Sequence, residues 1–256
     1  MSSSNVEFEI ASEGTFQGRP AKIFNVMGRR VGFTNTTSLH DIGEYLGDGS
    51  VVSFTDLAGT EVLELVSSSA NDAAAGTGIR TVNVAYIDQL GALQISDPIT
   101  LNGTTAVAIT WKAKCILWIQ ATTVGSGGVA AGNIDVRIVS GAVVQERVTA
   151  GGNRSLSARF MVPTGYEAFV PTWEAHSVNQ DMDCRLRATV CNFARTVIQP
   201  YIFQDNAYLA ANTNHDSRLP YLVFPAGARL KISAKAGATT GSPRCDSSFP
   251  VILVAG

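Results

Sequence analysis

Between Ile79 and Tyr86 the side chains alternate in character: Arg80, Val82, Val84 and Tyr86 fall on one phase, and Thr81, Asn83 and Ala85 on the other. A period of two marks a strand with one face turned to a core. Asp88-Gln89-Leu90-Gly91 supplies turn chemistry, and Ala92 to Leu101 reads as the return strand, with Pro98 placing it at a sheet edge. Asn102-Gly103, the strongest short hairpin signal, predicts a second tight turn into a strand over Ala106 to Thr110. Comparable segments bounded by Gly, Asn, Asp or Pro follow at Cys115 to Thr123, Ile134 to Val139, Val143 to Val148, Ser155 to Val162, Glu167 to His176, Cys184 to Phe193, Thr196 to Phe203, Leu219 to Phe224, Arg229 to Ala234 and Phe249 to Val254. Turns every ~8 to 12 residues predict an all-β chain built as an antiparallel β-sandwich or jelly roll.

One short helix is expected near the N-terminus. Ser38 would cap it, Asp41 stands three residues on, Ile42, Tyr45 and Leu46 follow, and Gly47 would stop it. The stretch Ser67 to Gly78 is small and polar and reads as a flexible connection, as do Gly125 to Gly128 and Gly237 to Ser242. The expected organisation is an N-terminal arm or docking segment over 1–56 and a β-sandwich over 57–256, with two packed halves meeting near 128 as one form of it. Val6 to Phe54 has the weakest strand pattern but carries apolar anchors. Phe16, Phe24 and Phe33, with the cations Arg19, Lys22, Arg29 and Arg30, are therefore the candidate partner-interface residues. Exposed charge of this kind steers encounter and register. The competing reading makes them solvated turn residues of the same sandwich.

Composition narrows the function. Of 256 residues, 45% are hydrophobic, which excludes a disordered chain, and 16% are charged, with a net charge of -2. Without Lys/Arg clusters there is no basic face for nucleic acid. No apolar run reaches the roughly 18 residues of a membrane helix, so no membrane partner is expected. The first residues, Met1 to Glu7, have neither the basic nor the apolar stretch of a secretion signal, so synthesis in a cytoplasm is expected. Cys115, Cys184, Cys191 and Cys245 are widely spaced and read as buried thiols. Charge this far below the ~25% usual in soluble domains predicts a surface largely covered by other subunits, as in a homotrimer or a lattice.

Candidate chemistry is sparse. His40, His176 and His215 are scattered, and neither His215-Asp216 nor Asp181 with Asp183 has the spacing of a known metal motif, so solvated turns are the expected reading. No nucleophile elbow or phosphate-binding loop occurs. Glu167 and Glu174, the pair to test for a polysaccharide-degrading enzyme, are seven apart on one predicted strand and should face opposite sides. Trp111, Trp118, Trp173, Tyr166, Tyr201, Tyr208 and Tyr221 would serve either as a sugar-stacking platform or as core and interface anchors, with Trp118 expected to be buried and Tyr166 and Tyr208 near turns. No enzyme, metal or cofactor is expected.

One segment carries a resemblance. Ala75-Gly76-Thr77-Gly78-Ile79-Arg80-Thr81-Val82 runs through Tyr86-Ile87-Asp88 and Gly91 to Ile99-Thr100-Leu101-Asn102-Gly103-Thr104-Thr105. It resembles a hairpin segment of structural proteins of tailed-bacteriophage virions, in which an AGTG-x-RTV strand, a turn and a TLNGTT strand recur. The resemblance implies a virion component made in the host cytoplasm, with capsid decoration or cementing, neck or tail attachment, and head fibre as its possible places. Its partners would be the major capsid protein or other virion proteins. Leu93-Gln94-Ile95-Ser96 departs from the charged, solvent-facing strand of the pattern, which predicts that this hairpin packs against a neighbour. The expected function is a non-enzymatic subunit that decorates or cements a capsid; the alternative is a receptor- or glycan-binding module of a tail or head fibre.

Overall fold

The computed structural model describes residues 13–16, 18–33, 36–44, 46, 50–189 and 202–256. The strands in chain order are β1 (Glu13–Phe16), β2 (Arg19–Val31), β3 (His40–Asp41), β4 (Leu63–Ser67), β5 (Ile79–Asp88), β6 (Leu93–Ile95), β7 (Ile99–Thr100), β8 (Val107–Ile109), β9 (Ala113–Val124), β10 (Ile134–Ile138), β11 (Val144–Val148), β12 (Arg159–Met161), β13 (Tyr166–Val178), β14 (Met182–Thr189), β15 (Ile202–Leu209), β16 (Asn214–Phe224), β17 (Arg229–Ala236) and β18 (Arg244–Ala255). The all-β expectation is met: the strands form antiparallel sheets of a sandwich type.

One sheet has the order β1-β2-β18-β13-β16; facing it is β12-β17-β14-β15, with β3 added on β17. Phe24, Val26, Trp173, Phe249, Val251 and Leu253 from the first meet Leu186, Leu230 and Ile232 from the second in one core. A second core takes Leu63, Leu65, Ile134, Val136 and Val148 from the sheet β11-β10-β4-β8 and packs them on Val82, Val84, Ile116 and Ile119 of β5 and β9. The opposite face of the β5–β9 pair supplies Ala85, Ile87, Cys115 and Leu117 to the first core. That pair is therefore a layer shared by both. Strands buried on two faces read as continuous apolar runs, which is why Cys115 to Ile119 shows no alternation. A register shift opposite Ala85 and Tyr86 puts Leu117 and Trp118 both into the first core, where Trp118 lies 5.9 Å from the Phe24 ring.

The second core draws on residues from Leu57 to Val148 and the first on both flanks of that stretch; Gly128 lies inside the former. Residues 19–31, in the segment expected to dock elsewhere, form an interior strand paired with β18 from Ala21↔Val254 to Val31↔Arg244. Among the described residues the expected helix at Ser38 is not found. His40 and Asp41 pair with Ala234 and Ser233 as β3, Ile42 is fully buried, and its N–H donates to the Ile232 carbonyl at 3.0 Å. Tyr45 and Gly47 of that expected helix lie outside the described residues. Tertiary hydrogen bonds and burial outweigh a local cap signal here. The β5 return strand forms as β6 and β7, interrupted at Ser96 to Pro98. Asn102 and Gly103 do make a turn, but β8 leaves it to pair with β4 rather than closing a hairpin on β7.

The Ser67 to Gly78 connection, expected to be flexible, is organised around a fully buried carboxylate. Asp72 accepts hydrogen bonds from the N–H groups of Ile79 (2.8 Å), Ala131 (2.9 Å) and Gly132 (2.9 Å) and from Ser67 Oγ (2.6 Å), and its own carbonyl accepts from Gly103 N at 2.8 Å. Four chain segments thus converge on one residue. The two glycines of the loop are required by contact rather than by dihedral. A Cβ on Gly76 would lie 2.0 Å from the Asn71 carbonyl oxygen, and one on Gly78 2.1 Å from Asp72 Oδ1. Replacing Asp72 by Ala leaves three buried donors unsatisfied, and we expect a loss of about 3–6 kcal/mol in urea unfolding followed by tryptophan fluorescence.

Candidate functional site

The seven residues singled out from the sequence do not form one site, although Phe16 pairs with Arg19 and Arg30 lies against Phe33. Phe16 ends β1 opposite Arg19. Arg19 sits at the sheet end, paired with Glu167 at 3.2 Å and donating to the Ala255 carbonyl, and Lys22 is half-buried opposite Leu253. Phe24 and Phe33 are core residues. Arg30 is also buried, donates to the Asp41 carbonyl at 3.1 Å, and lies 5.3 Å from the Phe33 ring centre. Arg29 is on the outer face, 2.7 Å from Asp246. Arg19 and Arg29 share that face but stand about 33 Å apart along β2.

The same outer face carries a groove of about 560 Å³. It runs across four strands between two registered rows of side chains. One rim is Met27, Ser248, Glu174 and Asp216; the other is Arg29, Asp246, His176 and Asn214. Leu156 closes the β2 end, where its carbonyl accepts from Arg29 N at 3.1 Å. Glu174 and Asp216 are exposed and directly opposed, a placement that costs energy unless something pairs with it. Their partners are hydroxyls: Ser248 donates to Glu174 at 3.4 Å and Thr172 to Asp216 at 3.0 Å. His176 Nδ1 is hydrogen-bonded to Asn214, while His215, the adjacent residue, turns its ring to buried Trp173, 5.1 Å between centroids. The groove therefore offers carboxylate and amide acceptors beside hydroxyl and guanidinium donors.

The expectation that Glu167 and Glu174 face opposite sides is corrected by a bulge between Val170 and Thr172. Ala168 and Val170 before it and Trp173 and Ala175 after it all enter the first core, so both glutamates face outward. They do not act as a pair, because Glu167 is held by Arg19 and the strand separates them by about 23 Å. Asp181 accepts from Ala211 N at 2.8 Å and Asp183 pairs with Arg185 at 2.6 Å, so both serve local structure. Among the described residues no cluster of three or more His, Cys, Asp or Glu has metal-binding geometry. Trp118 and Trp173 are buried, Trp111 stacks on Tyr86 at 3.8 Å, and Tyr208 is exposed; Tyr201 lies outside the described residues. None of the described aromatics lines the groove.

A second polar feature, absent from any sequence motif, lies at the seam between the two cores. Arg159 of β12 and Glu146 of β11 are buried and 3.2 Å apart. Ser157 Oγ donates to Glu146 at 2.7 Å, Arg159 donates to the carbonyls of Ser53 and Gln145, and its guanidinium lies 5.1 Å from the Phe54 ring centre. Around them Arg229 pairs with Asp56, Lys231 with Asp41 (2.8 Å), and Thr149 Oγ1 donates to Glu44 at 2.7 Å. Burial raises the pKa values of Glu44 and Asp56 from their ordinary values and pushes Glu146 up to about 7, against the opposing pull of Arg159. Because the folded protein holds the Glu146 proton more tightly than the unfolded chain, stability falls as pH rises from about 4.5 through 7. Chemical denaturation should show that decline, on the order of 1–3 kcal/mol, and Glu146→Gln should reduce it, leaving the smaller parts due to Glu44 and Asp56.

No family model matches the chain, and a search of curated proteins finds no match. Among solved structures the chain is similar to that of the infectious bursal disease virus Gx strain, at 13% identity over 92% of this chain and 71% of that one, with a TM-score of 0.26. It is similar to the infectious bursal disease virus VP2 subviral particle at 11% identity over 92% and 71%, with a TM-score of 0.26. It is also similar to the N-terminal CBM22-1-CBM22-2 tandem domain from Paenibacillus barcinonensis at 14% identity over 95% and 89%, with a TM-score of 0.27. Superpositions this loose assign neither a family nor a role.

Proposed function

We propose that the protein is a non-enzymatic structural subunit of a bacteriophage virion that decorates or cements the capsid through subunit interfaces, as a homotrimer bound to the major capsid protein. The observation that carries this reading is the surface of the segment that resembles virion proteins. Leu90 is 78% exposed and Ile95 40% exposed, yet both sit on an ordered element. The Leu90 turn is fixed by Asp88 Oδ1, which accepts from Leu90 N (2.8 Å) and Ala92 N (2.9 Å), and by Thr164, whose Oγ1 donates to the Leu90 carbonyl at 3.3 Å. Ile95 belongs to the edge strand β6. Apolar side chains held rigidly at an edge lose little entropy on docking, which is the economy an interface anchor needs. Light scattering should give a trimer for the purified chain. Mixing with particles assembled without it should raise their heat resistance, and Leu90→Asp with Ile95→Asp should weaken that binding at least tenfold while leaving the melting temperature of the free chain unchanged. A monomer that ignores the particles overturns the proposal.

The groove favours a second reading, a glycan-binding module of a tail or head fibre. Its two polar rims present donors and acceptors at the spacing of alternate strand residues, about 7 Å, which suits the hydroxyls of a saccharide chain laid across the strands. A glycan array should then yield a ligand whose affinity falls at least tenfold in Glu174→Gln with Asp216→Asn. Binding that is absent, or indifferent to both substitutions, removes this reading.

A further inference from the structure

Cys184 and Cys245 face each other across the first core. Cys184 is on β14 and Cys245 on β18, strands of the two opposed sheets, and both are fully buried. Their Sγ atoms are 3.7 Å apart. Cys115, the third described cysteine, is also buried and lies on β9 of the shared layer. A disulfide needs an S–S separation near 2.05 Å, so an approach of about 1.7 Å, within reach of small side-chain rotations, would join the sheets. Facing sheets of a sandwich are bridged in this way in antibody domains.

We infer that Cys184 and Cys245 form a reversible disulfide between the two sheets when the protein meets a small-molecule disulfide oxidant such as oxidised glutathione. Access comes from the strand ends. Cys245 is the second residue of β18, next to the exposed loop at Gly237 to Ser242, and Cys184 is the third residue of β14, after the turn at Asn179 to Asp181. In the exchange, the thiolate of one cysteine attacks a glutathione sulfur, the glutathione S–S bond breaks, and one glutathione leaves and takes up a proton. The second cysteine, as its thiolate, then displaces the other glutathione from the mixed disulfide. The two cysteines lose two protons and two electrons, and the oxidant becomes two thiols. The hydrogen bond with Cys184 and burial both hold the Cys245 thiol well above its ordinary range, so the exchange waits on local opening and quickens with rising pH. The cross-link would close a loop whose ends are 61 residues apart.

The full-length chain is reduced, exposed to oxidised glutathione, unfolded, alkylated, digested and read by mass spectrometry. The expected product is a single linked peptide pair containing Cys184 and Cys245, reversed by reductant. The melting midpoint should rise by roughly 5–15 °C on oxidation. That rise should persist in Cys115→Ala and vanish in Cys245→Ala. If both cysteines are fully alkylated after prolonged oxidation, or if the cross-link joins Cys191 or Cys115 instead, the inference is overturned. The peptide map of the unsubstituted chain decides this even where a variant does not fold.

Discussion

Over Val84 to Ile87 and Cys115 to Ile119, the β5–β9 pair buries both of its faces and has no solvent side on which to place a polar residue. Val82, Val84, Ile116 and Ile119 belong to one core, and Ala85, Ile87, Cys115 and Leu117 to the other. Each large side chain buried there contributes about 1.5–3 kcal/mol. Neither core is complete without the shared layer, so the inserted residues 57–148 cannot be lifted away without opening a face of the flanking sandwich. The backbone register shifts between β5 and β9 serve the same demand, since they allow neighbouring Leu117 and Trp118 to enter one core.

Sharing a layer leaves a seam where the edges of the two sandwiches meet, and polar backbone there must find partners without water. Arg159 answers part of that need, since it donates to the carbonyls of Ser53 and Gln145 while facing Glu146. A buried ion pair is weak as a source of net stability, yet the loss of either member strands the other. Its effect here is to fix which loop lies over which strand. Asp72 acts in the same manner within the inserted region, with N–H groups in place of a cation.

The sequence made the strand class readable wherever one face met solvent. β5 alternates because its polar phase, Thr81 and Asn83, is half-buried, and the runs at β10, β11 and β17 lie close to their observed bounds. β2 was hidden because its inward phase reads Phe24, Val26, Gly28, Arg30: a glycine that sits against Ala158 and an arginine that is buried by bonding a carbonyl. The Ser38 cap pattern failed for the opposite reason, since a sound local signal met a long-range partner in β17. Residue spacing could not foresee the bulge at Val170, and so misplaced Glu167 relative to Glu174. The groove was invisible because its rims come from four strands and each row mixes residue types; only the register assembles it. Asp72 left a faint trace in the loop glycines, which look flexible in composition and are in fact positions where a side chain has no room.

The low charge of the chain takes on a sharper meaning once these positions are known. Arg30, Glu44, Asp72, Asp135, Glu146, Arg159 and Lys231 are all buried, so fewer charges reach the surface than the sequence carries. Several exposed charges are also paired with one another, as Arg29 and Arg244 are with Asp246. Such a surface has little long-range field with which to repel copies of itself or to steer toward a charged partner. Val62, Val139 and Val143 add an exposed apolar cluster at one end of the inserted region, where Val139 N donates to the Val62 carbonyl. The buried charges serve the interior: Arg159 and Glu146 hold the seam, and Asp72 holds the Ser67 to Gly78 loop.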